Sequence, residues 1–490
     1  MKKFLILALV VFVAVFAMAE KLTILHINDT HGHAWTFDEY GVGLVGGFPL
    51  VATLVEQYRA ENPRTLFLHA GDISTGVPES DLLDAAPDIV ALNLMELDAV
   101  AIGNHEFDFE REVLDKQMEY ALFPYLSANI YKDGEPEFTE YIIKDVGGIK
   151  VGIIGLTTPD TKILEKLHAD QYEWKSVVDI AKKLVPEVEK KADIVVILSH
   201  IGDAESMTDV NSHELAAAVD GIDVIVDGHS HTLTEKPVVI NGTLIVQAGE
   251  WAKHLGKLDL EVENGGITYV EYEAIPITAE TIEPDKDVAI VLDYFKKLGS
   301  EKLNEVFGKT EILLMGDRSV IRSQDTNLAH LITDAMVWKT GADFAITNSG
   351  GIRASIQPGE ISYRDILTVL PFGNTLYQLK ATGEEVMDIL EYTATVSAGQ
   401  GAWPQVSGIT YTIEGETVSD VMINGEPIDL DETYTIATNN YLAYGGDGYS
   451  MLEDLEGYDT GFVLADVVQD YVAEISPITD YDDEPRIIVK

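Results

Sequence analysis

The 490-residue chain is 46% hydrophobic and 24% charged, enough apolar material for two to four domains of ordinary size. Its 83 acidic against 33 basic side chains leave a formal net charge of −50, a surface that repels phosphate backbones and anionic headgroups and so excludes nucleic-acid polymers and membrane surfaces as natural partners. The absence of cysteine excludes disulfide scaffolds, thiolate metal sites, cysteine nucleophiles and lipidation of an N-terminal cysteine.

Lys2 and Lys3 precede an apolar run from Phe4 to Phe16, and Ala17-Met18-Ala19 follows before Glu20. The run is too short to span a bilayer comfortably and ends in a small-residue cleavage pattern, so residues 1–19 read as a secretory signal peptide. The expected location is periplasmic or secreted, without stable membrane association once the leader is removed.

Beyond it, 22–28, 65–69, 98–102, 193–198, 223–227 and 243–248 are short, β-branched, apolar runs bounded by Gly, Asp, Asn or His, the pattern of buried strands. Amphipathic helices are expected at 48–60 and 175–191, and hairpins over 141–156 and 256–276, closing at Gly147-Gly148 and Gly265-Gly266. This alternation predicts a layered α/β domain with mixed sheets over residues 20–283. Pro284 opens a helix over 284–305 that connects it to a second α/β domain at 306–490. In that domain helices are expected at 326–340, 383–394 and 462–474, and strands at 343–347 and 433–438.

The first-domain strands end in chemistry. Run 22–28 leads into Asn28-Asp29-Thr30-His31-Gly32-His33, and 65–69 into Gly71-Asp72. Run 98–102 leads into Gly103-Asn104-His105-Glu106-Phe107-Asp108, 193–198 into Ser199-His200, and 223–227 into Gly228-His229-Ser230-His231. Open α/β sheets place their ligands at these carboxyl ends. Imidazole nitrogens mixed with carboxylate oxygens suit transition-type divalent ions rather than Ca²⁺. The donors are too many for one tetrahedral ion, whereas two ions about 3.5–4 Å apart and bridged by a carboxylate accommodate them. The charge of two such ions exceeds that of Asp29 and Asp72, which leaves a positive centre suited to a phosphate dianion. His26, His69, His168, His213 and His330 read as structural, while His33 and His254 are ambiguous between a structural role and contact with the ligands from behind.

The motifs NDTHGH, GD, GNHEFD, SH and GHSH, in this order, resemble the calcineurin-like metallophosphoesterases and specifically the secreted 5′-nucleotidase family. The resemblance implies one ion on Asp29, His31 and His231, a second on Asn104, His200 and His229, and Asp72 bridging them. It also implies a catalytic pair, His105 and Asp108, beside a water-derived hydroxide that attacks phosphorus. The cofactor expectation is two divalent ions, drawn from Mn²⁺, Zn²⁺, Co²⁺ and Mg²⁺.

In the second domain Arg322 precedes a helix that Thr326 or Asp325 can cap, Asn348-Ser349-Gly350-Gly351-Ile352-Arg353 follows a strand, and Tyr441 through Tyr449 contains Gly445-Gly446-Asp447-Gly448. Glycines admit close backbone approach, arginines grip anions and aromatics offer stacking faces. On the residues alone, Gly-Gly-Asp-Gly is equally a tight turn, or a Ca²⁺ loop that lacks the other ligands, and Phe372 a core aromatic. The family resemblance implies that Arg322, Asn348 and Arg353 contact the phosphate or ribose side, that Phe372 and Tyr441 sandwich the base, and that Asp447 accepts from ribose hydroxyls. The expected partner is a small nucleotide whose phosphate is hydrolysed. UDP-sugar or 2′,3′-cyclic nucleotide hydrolysis, a thiosulfohydrolase, and a non-catalytic exported nucleotide-binding protein are the competing readings, and oligomeric state stays open.

Overall fold

The computed structural model describes residues 19–39, 42–203, 209–263, 265–482 and 484–490. The expected leader therefore lies, Ala19 apart, outside the described residues. In chain order the first domain's principal strands are β1 (Glu20–Ile27), β2 (Thr65–His69), β3 (Ala99–Ala101), β4 (Tyr125–Leu126), β5 (Tyr141–Val146), β6 (Ile149–Thr157), β7 (Ile194–His200), β8 (Val224–Val226), β9 (Val238–Ile240), β10 (Thr243–Val246), β11 (His254–Glu263) and β12 (Gly266–Pro276). They form one sheet of order β12-β11-β1-β2-β3-β4 and another of order β9-β10-β8-β7-β6-β5. Both are mixed. β1 through β4 run parallel, as do β6, β7, β8 and β10, while β5, β9, β11 and β12 add antiparallel edges. The expected β5–β6 turn is present, with Gly147 and Gly148 both at positive φ.

Side chains alternate between the faces of a strand, so each sheet has two apolar surfaces to cover. Leu22, Ile24, Leu66 and Leu68 from one sheet meet Val151, Ile153, Val196 and Val224 from the other in a dry core, each contributing about 1.5–3 kcal/mol of burial free energy. The opposite faces are covered by helices α1 (Phe48–Glu61) and α2 (Ala86–Leu94) on one side and by α3 (Val177–Val188) and α4 (Ser212–Ala218) on the other. The result is four layers, helix–sheet–sheet–helix.

Helix α5 (Lys286–Leu303) follows. Its Val288 and Leu292 are buried in the α1–α2 layer, and Trp35 Nε1 donates to Leu292 O at 3.1 Å, so this helix docks on the first domain's flank. The second domain contains α6 (Asn327–Thr340), α7 (Tyr363–Val369), α8 (Gly383–Thr395) and α9 (Leu464–Ile475), with strands β13 (Phe344–Asn348), β14 (Thr375–Thr382), β15 (Pro404–Ser407), β16 (Thr433–Asn439) and β17 (Glu456–Val463) in the order β15-β13-β16-β14-β17. Of the two offered caps for α6, Thr326 takes the role, accepting from the Ala329 N–H at 3.3 Å. Strand β7 ends two residues later than expected, so His200 closes the strand instead of following it.

Candidate dimetal centre

The loops after β1, β2, β3 and β8 meet the end of β7. Asp29 Oδ1 lies 3.3 Å from His231 Nε2 and 4.0 Å from His31 Nε2, and Asp72 Oδ2 lies 3.8 Å from His31 Nε2. Asp72 Oδ2 is also 3.0 Å from His200 Nε2, while Asn104 Oδ1 is 3.2 Å from His200 Nε2 and 3.0 Å from His229 Nδ1. All seven expected ligands thus fall into two adjoining clusters that share the Asp72 oxygen. Its other oxygen, Oδ1, accepts the His105 N–H at 3.0 Å, which turns Oδ2 toward both clusters.

The donor set fits cations for a specific reason. His31 Nδ1 faces Thr75 O, His200 Nδ1 faces Ala70 O and His231 Nδ1 faces Glu250 Oε2, all acceptors, so each Nδ1 carries a proton. When a ring is neutral, its Nε2 atom then bears a lone pair. Those of His31 and His231 lie 3.2 Å apart, and that of His200 points at carboxylate and amide oxygens. Lone pairs at this separation repel unless positive charge sits between them. The same field acts on protons. Burial pulls the His200 and His231 pKa values down, but Asp72 and Asp29 respectively, with Glu250 adding to the second, outweigh it and push both up to about 10. Burial dominates at His31 and His229, lowered to about 3 and 4. Divalent ions supply the charge this pocket attracts and displace its protons.

Backbone strain is concentrated here. Asp29, His31, Asp72, His229 and His231 all hold positive φ, between +47° and +79°. Such conformations cost non-glycine residues roughly 1–3 kcal/mol each and persist where surrounding bonds over-determine them. Those bonds are visible. Glu106 Oε2 accepts the N–H groups of Gly103 and Asp72 at 2.7 and 3.1 Å, and its Oε1 that of Ile73 at 2.9 Å. Asn28 donates to Asp29 Oδ2 at 2.7 Å and accepts the Ala248 N–H at 2.8 Å. Asp227 Oδ1 accepts from Ser199 Oγ and from the Ile201 N–H, fixing the β7 terminus. His33 stacks on Trp251 at 4.5 Å and its ring lies 3.0 Å from His31 O, so it touches an expected ligand residue from behind.

A cavity of about 540 Å³ opens over this cluster. Asp72, Asn104, His105, Asp108, His229 and His231 line its first-domain wall. Arg322, Asn348, Arg353, Phe372, Tyr441 and Asp447 line the facing wall, so every expected substrate residue borders the same space. His105 Nδ1 lies 2.8 Å from Asp108 Oδ2. Burial lowers the His105 pKa, and Asp108 and Asp72 more than reverse this, raising it to about 10. Phe372 stacks against His105 with ring centres 5.8 Å apart, and the Arg353 guanidinium lies 5.3 Å from the Phe372 centroid. Asp447, at φ +52° in a tight turn, accepts from Asn348 Nδ2 at 2.7 Å and from the Tyr441 hydroxyl at 3.0 Å. Gly-Gly-Asp-Gly is therefore a turn, and Asp447 within it lines the cavity.

Burial and the mutual repulsion of clustered guanidiniums lower the pKa values of Arg322, to about 10, and Arg353. Arg318 acts on both, a third cation near this wall that no motif in the sequence marks. Equally unmarked are Glu250 and Glu165, and His168, which was expected to be structural yet lines the cavity; Glu106 stands inside the GNHEFD motif, but was given no role there. His26 and His69 are fully buried in the core with pKa values lowered to about 3 by desolvation, as structural histidines should be.

A family model described as calcineurin-like phosphoesterase matches residues 22–233, and one described as 5′-nucleotidase, C-terminal domain, matches residues 306–454. The chain is 40% identical to a 5′-nucleotidase of Vibrio vulnificus, over 94% of this chain and 91% of that protein. It is 37% identical to protein UshA of Escherichia coli, over 95% and 93%. Among solved structures, the 5′-nucleotidase precursor from Thermus thermophilus superposes with a TM-score of 0.83 at 34% identity, over 96% of this chain and 99% of that one. The dimetal centre used by calcineurin-like phosphoesterases accords with the His and Asp clusters found here. With the relatives matched over nearly their full lengths, the chain belongs to the 5′-nucleotidase family, a calcineurin-like phosphoesterase domain joined to a 5′-nucleotidase C-terminal domain.

Proposed function

We propose that the chain is an exported hydrolase that releases phosphate from nucleotides, with Asp29, His31, Asp72 and His231 holding one divalent ion and Asp72, Asn104, His200 and His229 the other. Bound there, such ions polarise a phosphoryl oxygen and lower the pKa of a water toward about 7. The protein's own part begins with His105. Its Nδ1 is committed to Asp108, which leaves Nε2 to donate to the transferring group or leaving oxygen. Arg322 and Arg353 draw the anionic end of the substrate toward the cluster, Phe372 and Tyr441 offer faces to the base, and Asn348 and Asp447 provide polar contacts for ribose. The domain units at 20–283 and 306–490, joined by the helix between them, each supply one wall. The leader pattern supports a periplasmic or secreted location.

The observation that carries this reading is the single cavity with a two-cluster cation site on one wall and arginines with aromatics on the other. A non-catalytic binding protein requires only the second wall. The test is turnover of AMP, ATP, UDP-glucose, 2′,3′-cyclic AMP and an aryl phosphate with Mn²⁺ present, a phosphatase being coupled in where no phosphate leaves directly. Nucleotides should be preferred over the aryl ester. His105→Ala should lower kcat on AMP by about 10²–10³ while AMP binding persists. Turnover of the aryl ester alone would refute the base-binding assignment of Phe372 and Tyr441.

A further inference from the structure

Residues 161–169 follow β6 and reach across to the second domain, packing on its Asn440–Ala443 and Gly446–Gly448 turns. Within this segment Glu165 lines the cavity and meets three different parts of the site. Its Oε1 accepts from Asn104 Nδ2 at 3.4 Å, and its carboxyl is hydrogen-bonded to Asp108. Donor atoms of His105, Asp108 and Glu165 lie within 4.8 Å of one another.

We propose that Glu165 is a positioning residue of the dimetal centre: it fixes the Asn104 carboxamide with its oxygen toward the cation cluster, and the Asp108 carboxyl toward His105. An amide can be a metal ligand only through its oxygen, and the two ends of the Asn104 side chain are nearly the same shape. Oδ1 points between His200 Nε2 and His229 Nδ1. Nδ2 has no hydrogen-bond acceptor other than Glu165 among the described residues. Without that acceptor, rotation about the terminal torsion places two N–H donors against the cation cluster at little other cost. The Asp108 contact extends the same control to the His105–Asp108 pair, so one side chain orients a ligand and a proton donor together. Groups that orient metal ligands from behind typically change metal affinity about 10–100-fold when removed.

The inference rests on the dimetal reading above, and its test separates the two. The metal-stripped full chain is titrated with Mn²⁺ while free Mn²⁺ is followed by electron paramagnetic resonance, and AMP turnover is measured in parallel. Glu165→Ala should weaken one of the two Mn²⁺ sites by about 10-fold or more, and lower kcat more than it changes KM. Glu165→Gln should restore both quantities to near wild type, because its amide donates to Asp108 and its oxygen accepts from Asn104. Glu165→Met, which fills the same space, replaces the alanine variant if that fails to fold. Wild-type Mn²⁺ affinity in Glu165→Ala or →Met, or damage in Glu165→Gln equal to that in the alanine variant, would overturn the proposal. A wild-type chain that binds two Mn²⁺ yet leaves nucleotides intact would overturn the nucleotide reading and leave this comparison standing.

Discussion

Asp88 shows how a single buried carboxyl can set a pH response away from the reacting groups. It is completely buried on α2, accepts a hydrogen bond from Ser80 through Oδ2, and its Oδ1 has no partner among the described residues. Desolvation raises its pKa from 3.8 to about 7. The sign follows from linkage. The unfolded chain releases this proton near pH 4 and the folded chain near pH 7, so across that window the folded state binds more protons and stability falls as pH rises. The contribution is of the order of a few kcal/mol, at about 1.4 kcal/mol for each pH unit of that window. Urea unfolding at pH 4.5 and 7.5 should therefore show a smaller pH-dependent loss of stability in Asp88→Asn than in wild type. Equal slopes in the two proteins would refute the assignment.

At the scale of elements, the site is built by tight strand-to-loop transitions. A Cβ added to Gly103, between β3 and Asn104, would lie 2.2 Å from Asp72 Oδ1 and 2.7 Å from the Asp72 backbone nitrogen. Gly103→Ala should consequently displace the shared ligand and reduce Mn²⁺ affinity at least 10-fold, as read by the same titration. Unchanged affinity would mean that the two loops adjust independently. The proposed ligand residues are legible in the sequence because each stands at or just past the end of an apolar, β-branched run, where a polar residue has no packing role. Glu165 and Glu250 are not legible, because their partners Asn104 and His231 are 61 and 19 residues away and each glutamate alone resembles a solvated charge; Glu106 lies in a legible motif, but its partner Asp72 is 34 residues away and its role is not. His168 is hidden in the same way: only the approach of the second domain turns its segment into a cavity wall. Strand β17, EGYDTGFV, takes Phe462 and Val463, which were expected to begin the following helix, because it pairs with β14, a tertiary contact that overrides local propensity.

At the scale of the molecule, the catalytic space exists only while the two walls face each other. Arg364 of α7 pairs with Glu79, a buried carboxylate seven residues beyond Asp72, and its Nε donates to Asn304 Oδ1 at 3.2 Å. Glu79 belongs to the stretch that also presents Thr75 O to His31 Nδ1, so this ion pair ties the second domain to the loop behind the centre. Arg364→Ala leaves that carboxylate unpaired, at a cost of about 1–3 kcal/mol once the partial exposure of the arginine is allowed for. Thermal unfolding should show a lower Tm, and kcat/KM for AMP should fall while Mn²⁺ affinity is retained. An unchanged Tm would show that the interface does not depend on this pair.

The most direct test of the paired metal site is phosphate release from AMP by chelator-stripped protein as Mn²⁺ is returned in measured amounts. Negligible turnover without metal, rising to a plateau only as the second equivalent per chain is bound, is the predicted result. Turnover by the stripped protein equal to that of the restored one, or a plateau at one equivalent, would contradict a paired site built around the shared oxygen of Asp72.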